Sequence, residues 1–226
     1  MINRRVILNF HGLGDIPKNI DNSERPYWIS IDKFEKIIDH VMLRKRLGHD
    51  IKITFDDGNH SDISIAVPCL RDRGLTAKFF LLTGRIESKG YLSKEDIKLL
   101  IDNDMEVGLH WRDHLDWRNL ATDALNVQIP KAQIELSCLT GYSVRDLSIP
   151  FGAYNRRVMS FLSRMNFQTI FTSDGGFARQ GAQVQPRFTI QADTEMDEII
   201  RLLDGETNIR ESLNRKFKYF VKRYVV

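Results

Sequence analysis

Long apolar runs are missing from this chain of 226 residues. None approaches the ~20 residues that a membrane-crossing helix needs. Cysteine is scarce: the chain has 2, Cys69 and Cys138, without metal-ligand spacing and too few for a disulfide framework. Both fall in helical patterns and read as packing residues. A charge excess is lacking too. The 33 Lys and Arg against 30 Asp and Glu leave a net +3, which removes any global case for nucleic-acid binding. No internal repeat, low-complexity tract or linker interrupts the sequence, so residues 1–226 read as one domain. Histidine stops early, with none after His114. The basic opening Met1 to Arg5 leads into Val6 to Phe10, an apolar stretch too short for a signal peptide. The chain as given is therefore expected to be cytoplasmic.

What is present is an alternation of short apolar runs and amphipathic stretches. Strands are expected at Arg5–Phe10, Ile51–Phe55, Thr76–Leu82, Met105–Leu109, Asp146–Ile149, Gln168–Phe171 and Arg187–Ile190. Helices are expected at Ile31–Leu47, Ser61–Arg73 with a kink at Pro68, Lys94–Asn103 capped by Ser93, Asp123–Leu139, and after the caps Asn155 and Thr194. Asp96, three residues after Ser93, suits a capping box. A final amphipathic segment, Ile209 to Tyr224, mixes lysine and arginine with aromatics. It suits packing on the domain, with peripheral contact to an anionic membrane surface as the other reading. The loop Gly12 to Ser30 is long enough to suggest a functional rim.

Seven rounds of strand and helix argue for a parallel sheet under helices. His11, Asp56, Asp57, His110, Phe151 and Asp174 all fall at or just after strand ends. In a closed barrel such positions gather at one mouth, the face that carries chemistry. A seven-stranded (β/α) barrel is therefore expected rather than an open sheet.

Two stretches carry the chemistry. Thr54-Phe55-Asp56-Asp57-Gly58 sets two carboxylates at a strand end, where repulsion calls for a cation or proton between them. His110-Trp111-Arg112-Asp113-His114 spaces two imidazoles by four, which one helical turn brings to one side. Alone, each is as well explained by a solvated turn or a pair of unrelated histidines. Together they offer a His-His-Asp set that leaves coordination sites open for water and substrate. The second carboxylate stays free to take a proton.

These stretches resemble the first two motifs of the NodB-type polysaccharide deacetylases, carbohydrate esterase family 4. Pro150-Phe151-Gly152, followed by Tyr154, resembles that family's third motif in its Pro-Tyr-Gly form, and Ala77-Lys78-Phe79-Phe80 resembles its Ala-Thr-Phe-Phe core strand. The resemblance implies the family's distorted (β/α)7 barrel. It implies Asp56 as general base, Asp57, His110 and His114 as metal ligands, and Pro150, Phe151, Gly152 and Tyr154 as walls of a sugar groove. Trp111 joins them as an aromatic candidate, against the alternative of packing at the barrel edge. The implied cofactor is a divalent metal, zinc first, although cobalt or nickel suits the same ligands. The implied substrate is an N-acetylated amino-sugar glycan or a lipid- or nucleotide-linked precursor of one. Departures are equally clear. The third motif lacks the arginine that orients the base, with Ser148 and Ile149 nearby. The fourth motif is absent, and Pro186-Arg187-Phe188 stands where a late Leu-x-His would supply the general acid. His11, at the end of the first strand, is the candidate for that acid. The competing readings are a binding protein on the same metal-holding scaffold and a hydrolase of another small C–N amide.

Overall fold

A computed structural model of the protein describes residues 4–18 and 20–206. The expected final helix, Ile209 to Tyr224, lies outside them. Six parallel strands run in chain order: β1 (Arg4–Phe10), β2 (Ile51–Asp57), β3 (Lys78–Leu81), β4 (Glu106–Leu109), β5 (Asp146–Ser148) and β6 (Thr169–Thr172). The expected seventh strand, Arg187–Ile190, shortens to two residues, and a further short strand precedes it, so that the last stave is in two pieces. β8 (Val184–Pro186) pairs with β6, and β9 (Phe188–Thr189) pairs with β1. The break falls at Arg187, whose N–H donates to the Thr172 carbonyl and whose carbonyl accepts from the Gly175 N–H. This broken stave bridges the first strand and the sixth and nearly closes the barrel. A two-residue β7 (Ala178–Arg179) adds antiparallel to the start of β1, an element that the hydrophobic pattern did not announce.

Outside the barrel lie α1 (Ile31–Arg46), α2 (Val67–Asp72), α3 (Lys94–Asp102), α4 (Thr122–Thr140), α5 (Arg156–Leu162) and α6 (Met196–Leu203). No helix among the described residues is long and apolar enough to cross a membrane. Ser93 caps α3 and Asp96 completes the expected capping box. Thr194, expected to cap the last helix, instead accepts from the Gln191 N–H, and Glu195 takes the cap position of α6. The helix expected from Ser61 opens with one π-type turn, Asp62–Ala66. Pro68 has no N–H to offer the Ser64 carbonyl, and the turn before it widens so that the Val67 N–H reaches Asp62. Cys69 is buried as expected, whereas Cys138 lies on the exposed side of α4.

Strand alternation sorts the side chains into two layers. Phe10 and Phe55 face outward and meet Phe34 of α1 at 5.2 and 5.8 Å, and Phe55 stacks on Phe79 at 4.8 Å. These rings belong to a continuous core between sheet and helices. The barrel interior holds a far smaller apolar cluster of Ile7, Phe80, Phe171 and Ala178. The rest of the interior is polar, with Asn9, Thr54, Ser148 and Arg187 all buried. That interior leads up to the strand ends.

Candidate metal and catalytic site

β2 continues through both carboxylates, two residues further than its apolar alternation indicated. Neighbours on a strand should face opposite ways. They do not here because Asp57 has φ 81° and Gly58 φ 71°. The left-handed turn at Asp57 swings its side chain to the mouth beside Asp56. A non-glycine residue there is strained, and such strain gathers at functional sites. Trp111, just after His110, has φ 82°, and Phe151 has φ 57°, so three strand ends around the mouth share this feature.

Asp57, His110 and His114 each point one ligand atom to a common place, all within 4.8 Å of one another. Asp57 Oδ1 lies 3.6 Å from His110 Nε2 and 3.7 Å from His114 Nε2. Ligands ~2.0–2.1 Å from a tetrahedral ion stand about 3.3–3.4 Å apart, so the three atoms are spaced for one small divalent cation. Asp57 Oδ1 is buried and has no hydrogen-bond partner, which suits a carboxylate oxygen that ligates a cation. The Nδ1 of His110 lies 2.9 Å from the Ser148 carbonyl oxygen. A carbonyl only accepts, so the proton belongs on Nδ1 and the Nε2 lone pair faces Asp57. Burial pushes the His110 pKa down to about 4 against the pull of Asp56 and Asp57, which keeps the ring neutral and ready to ligate.

Asp56 takes a different position. It is 2% exposed and lies beside a fully buried Arg187. Arg187 Nη1 donates to Oδ1 at 2.8 Å and Nη2 to Oδ2 at 2.7 Å, a two-pronged pairing. Asn9 Nδ2 and the Ser148 hydroxyl also donate to Oδ2, at 3.0 and 3.3 Å. Burial alone would raise the Asp56 pKa, but Arg187 and His110 outweigh it and hold the carboxyl well below the usual carboxylate range. The sequence contained the signal for this missing arginine, because Arg187 is a charge at an expected barrel strand. Nothing in the sequence said that it would meet Asp56.

The other expected site residues divide. Phe151 is 54% exposed and its ring stacks on His114 at 3.9 Å. Pro150 and Gly152 are buried and hold the turn that presents it. Trp111 is corrected: the left-handed turn after His110 sends its indole inward, where it is fully buried against Trp117 at 5.5 Å. Tyr154 is corrected as well. It is buried, and its hydroxyl donates to Asp174 Oδ2 at 2.6 Å, bracing that carboxylate from behind. His11 lines the same groove as the carboxylates, and its ring lies 4.8 Å from that of Tyr27 in a tilted pair. Burial lowers its pKa, opposed by Asp57 and Asp56, and its Nδ1 has no partner. The sequence reading missed Glu24. Its Oε1 is 3.3 Å from His114 Nδ1 and 2.6 Å from Arg85 Nη2. Burial opposes ionisation of Glu24, but His114 and Arg85 prevail and bring its pKa to about 2.

The groove encloses about 660 Å³ and runs from the Asp-His-His cluster toward the start of α6. A parallel barrel with such a cluster and a buried, arginine-held aspartate at its mouth defines a class of hydrolase-like barrels. The comparisons narrow the class. The profile of the family described as polysaccharide deacetylase matches residues 44–170, over half the chain. The protein belongs to the polysaccharide deacetylase family. Among curated relatives, a peptidoglycan-N-acetylglucosamine deacetylase of Listeria monocytogenes is 28% identical over 148 residues, 65% of this chain and 29% of the relative. A chitooligosaccharide deacetylase of Azorhizobium caulinodans is 28% identical over 123 residues, 53% of this chain and 56% of the relative. The matched part is thus less than two thirds of either. In fold, the chain is similar to the Streptococcus pyogenes deacetylase PplD, with a TM-score of 0.74 at 17% identity, covering 91% of this chain and 99% of that one. It is also similar to IcaB from Ammonifex degensii, with a TM-score of 0.72 at 20% identity, covering 89% and 96%.

Proposed function

We propose that the protein is a metal-dependent N-deacetylase of an amino-sugar glycan. The observation that carries this reading is the division of labour within the Asp-Asp pair: Asp57 faces both imidazoles and Asp56 faces Arg187. Asp57, His110 and His114 would hold a divalent ion, zinc in the first instance, which would supply Lewis acidity toward the acetyl carbonyl and the water. Asp56 takes a proton from that water as it adds to the carbonyl carbon. The Gly152 and Ala153 N–H groups are engaged by the carbonyls of Ile149 and Pro150. This leaves the Phe151 N–H as the backbone donor of that turn for the developing oxyanion. The proton that Asp56 took from the water passes on to His11, and the His11 imidazolium, favoured by the charges of Asp57 and Asp56, gives a proton to the sugar nitrogen as the C–N bond breaks, releasing acetate and the free amine. Phe151 offers an exposed ring to an apolar sugar face.

The groove wall favours a neutral glycan over a phosphate-bearing precursor. Its only cation among the described residues, Arg187, is committed to Asp56, and Asp174, Asp193 and Glu198 add negative charge. Arg187 beside Asp56, and His11 in the same groove, support this reading over that of a silent sugar-binding protein. Acetate release from N-acetylglucosamine oligomers tests the proposal. Release is expected to stop with chelator and return with zinc. Zinc and sugar binding without acetate from any oligomer would favour the binding protein instead.

A further inference from the structure

We propose that Glu24 is a positioning residue for His114, fixing which ring nitrogen carries the proton so that Nε2 stays bare and aimed at Asp57. The proposal rests on the reading of Asp57, His110 and His114 as ligands of one ion. A carboxylate only accepts, so the contact from His114 Nδ1 to Glu24 Oε1 at 3.3 Å places the proton on Nδ1. His114 Nε2 then presents its lone pair to the place 3.7 Å from Asp57 Oδ1. The two imidazoles are thereby treated alike. His110 is fixed by a backbone carbonyl on β5, and His114 by a side chain from a different part of the chain.

Glu24 is itself held. Arg85 reaches both of its oxygens, at 2.6 and 3.4 Å, and lies over the Tyr91 ring at 4.9 Å. The Glu24 N–H donates to the Asp21 carbonyl, and the Glu24 carbonyl accepts from the Tyr27 N–H to start the short turn Arg25–Tyr27. Two residues after Arg25, the Tyr27 ring lies in a tilted contact with His11. The long loop after β1 therefore touches a metal-site imidazole and the candidate acid from one short stretch. Its length is explained by the span it must cover from the end of β1 to the His110–His114 segment. Partners that hold a ligating imidazole by its second nitrogen typically change metal affinity by about 10–100-fold.

Glu24→Ala and Glu24→Gln test this in the full chain. Gln keeps an acceptor oxygen for Nδ1–H while losing the charge that pairs with Arg85, so it separates ring positioning from loop anchoring. Two readouts are used at pH 8: long-range 15N–1H spectra of His114 in the metal-free protein, and zinc affinity by chelator competition. The wild type is expected to carry the His114 proton on Nδ1. Glu24→Ala is expected to move it toward Nε2 and to weaken zinc by about 10–100-fold, and Glu24→Gln to hold the tautomer and lose under about 10-fold. A wild-type proton on Nε2 overturns the proposal, even if Glu24→Ala fails to fold. So does unchanged zinc affinity in Glu24→Ala while His114→Ala loses the metal, an outcome that leaves the metal reading standing. A tautomer that follows Glu24 in a protein that binds no zinc keeps the positioning role and overturns the metal reading alone.

Discussion

Asp56 and Asp57 are adjacent, equally buried carboxylates, and the φ of 81° at Asp57 gives them different neighbours. Asp57→Ala is expected to abolish stoichiometric zinc binding, as read by elemental analysis. Asp56→Asn is expected to retain zinc and lose turnover, by about 10²–10⁴-fold in kcat for a general base. Full activity in Asp56→Asn would end the assignment. Arg187 acts on the same atom pair from the opposite side. Arg187→Met removes the partner of a buried carboxylate, and such a break costs about 3–5 kcal/mol. Denaturant unfolding should show that loss, whereas Arg187→Lys should recover part of the stability without the two-pronged geometry. At this scale the sequence named the ligand types through their spacing. It could not place Trp111, because one left-handed backbone angle decides whether that ring meets a sugar or Trp117.

Among the elements, the loop after β1 and the broken seventh stave do most to shape the mouth. Gly12 lies against Trp28, and a Cβ there would overlap the indole. Gly12→Ala is therefore expected to cost about 1–3 kcal/mol through overpacking, and to disturb His11 next to it. Thermal melts and the His11 resonances check the two effects. Ser93, which caps α3 away from the site, is a control. Ser93→Ala should cost about 0.5–2 kcal/mol and leave zinc affinity unchanged. The cap and its Asp96 partner were legible because a capping box is local. The split at Arg187 was not, since a strand's apolar pattern says which face is buried and not where two neighbours divide it.

Over the whole molecule the barrel has two unlike ends. The C-terminal end gathers the site. At the other end Lys78 of β3 pairs with Glu106 of β4 at 2.9 Å and with Asp146 of β5, tying three strands. Burial would lower the Lys78 pKa, but Asp146 and Glu106 outweigh it and raise it above its ordinary 10.5. A raised lysine pKa means the folded state holds its proton more tightly than the unfolded state. That stability is complete below pH 10.5 and disappears as pH rises through the folded value. Lys78→Met should therefore be less stable than wild type at pH 8, with the gap narrowing above pH ~10.5. A gap that stayed constant from pH 8 to pH ~11.5 would show that the raised pKa adds no stability.

The sequence by itself determined the alternation that builds the barrel, the caps Ser93 and Asn155 that start two of its helices, and the residue types that can hold a metal. All of these are written in neighbours a few positions apart, where period and spacing act directly. Only the tertiary structure decided that Arg187 reaches Asp56 across 131 positions and that Glu24 reaches His114 across 90. Those meetings depend on ring closure between β1 and the last stave and on the path of one long loop. Local patterns fix which face of an element is buried, but the packing of distant elements fixes what that face meets.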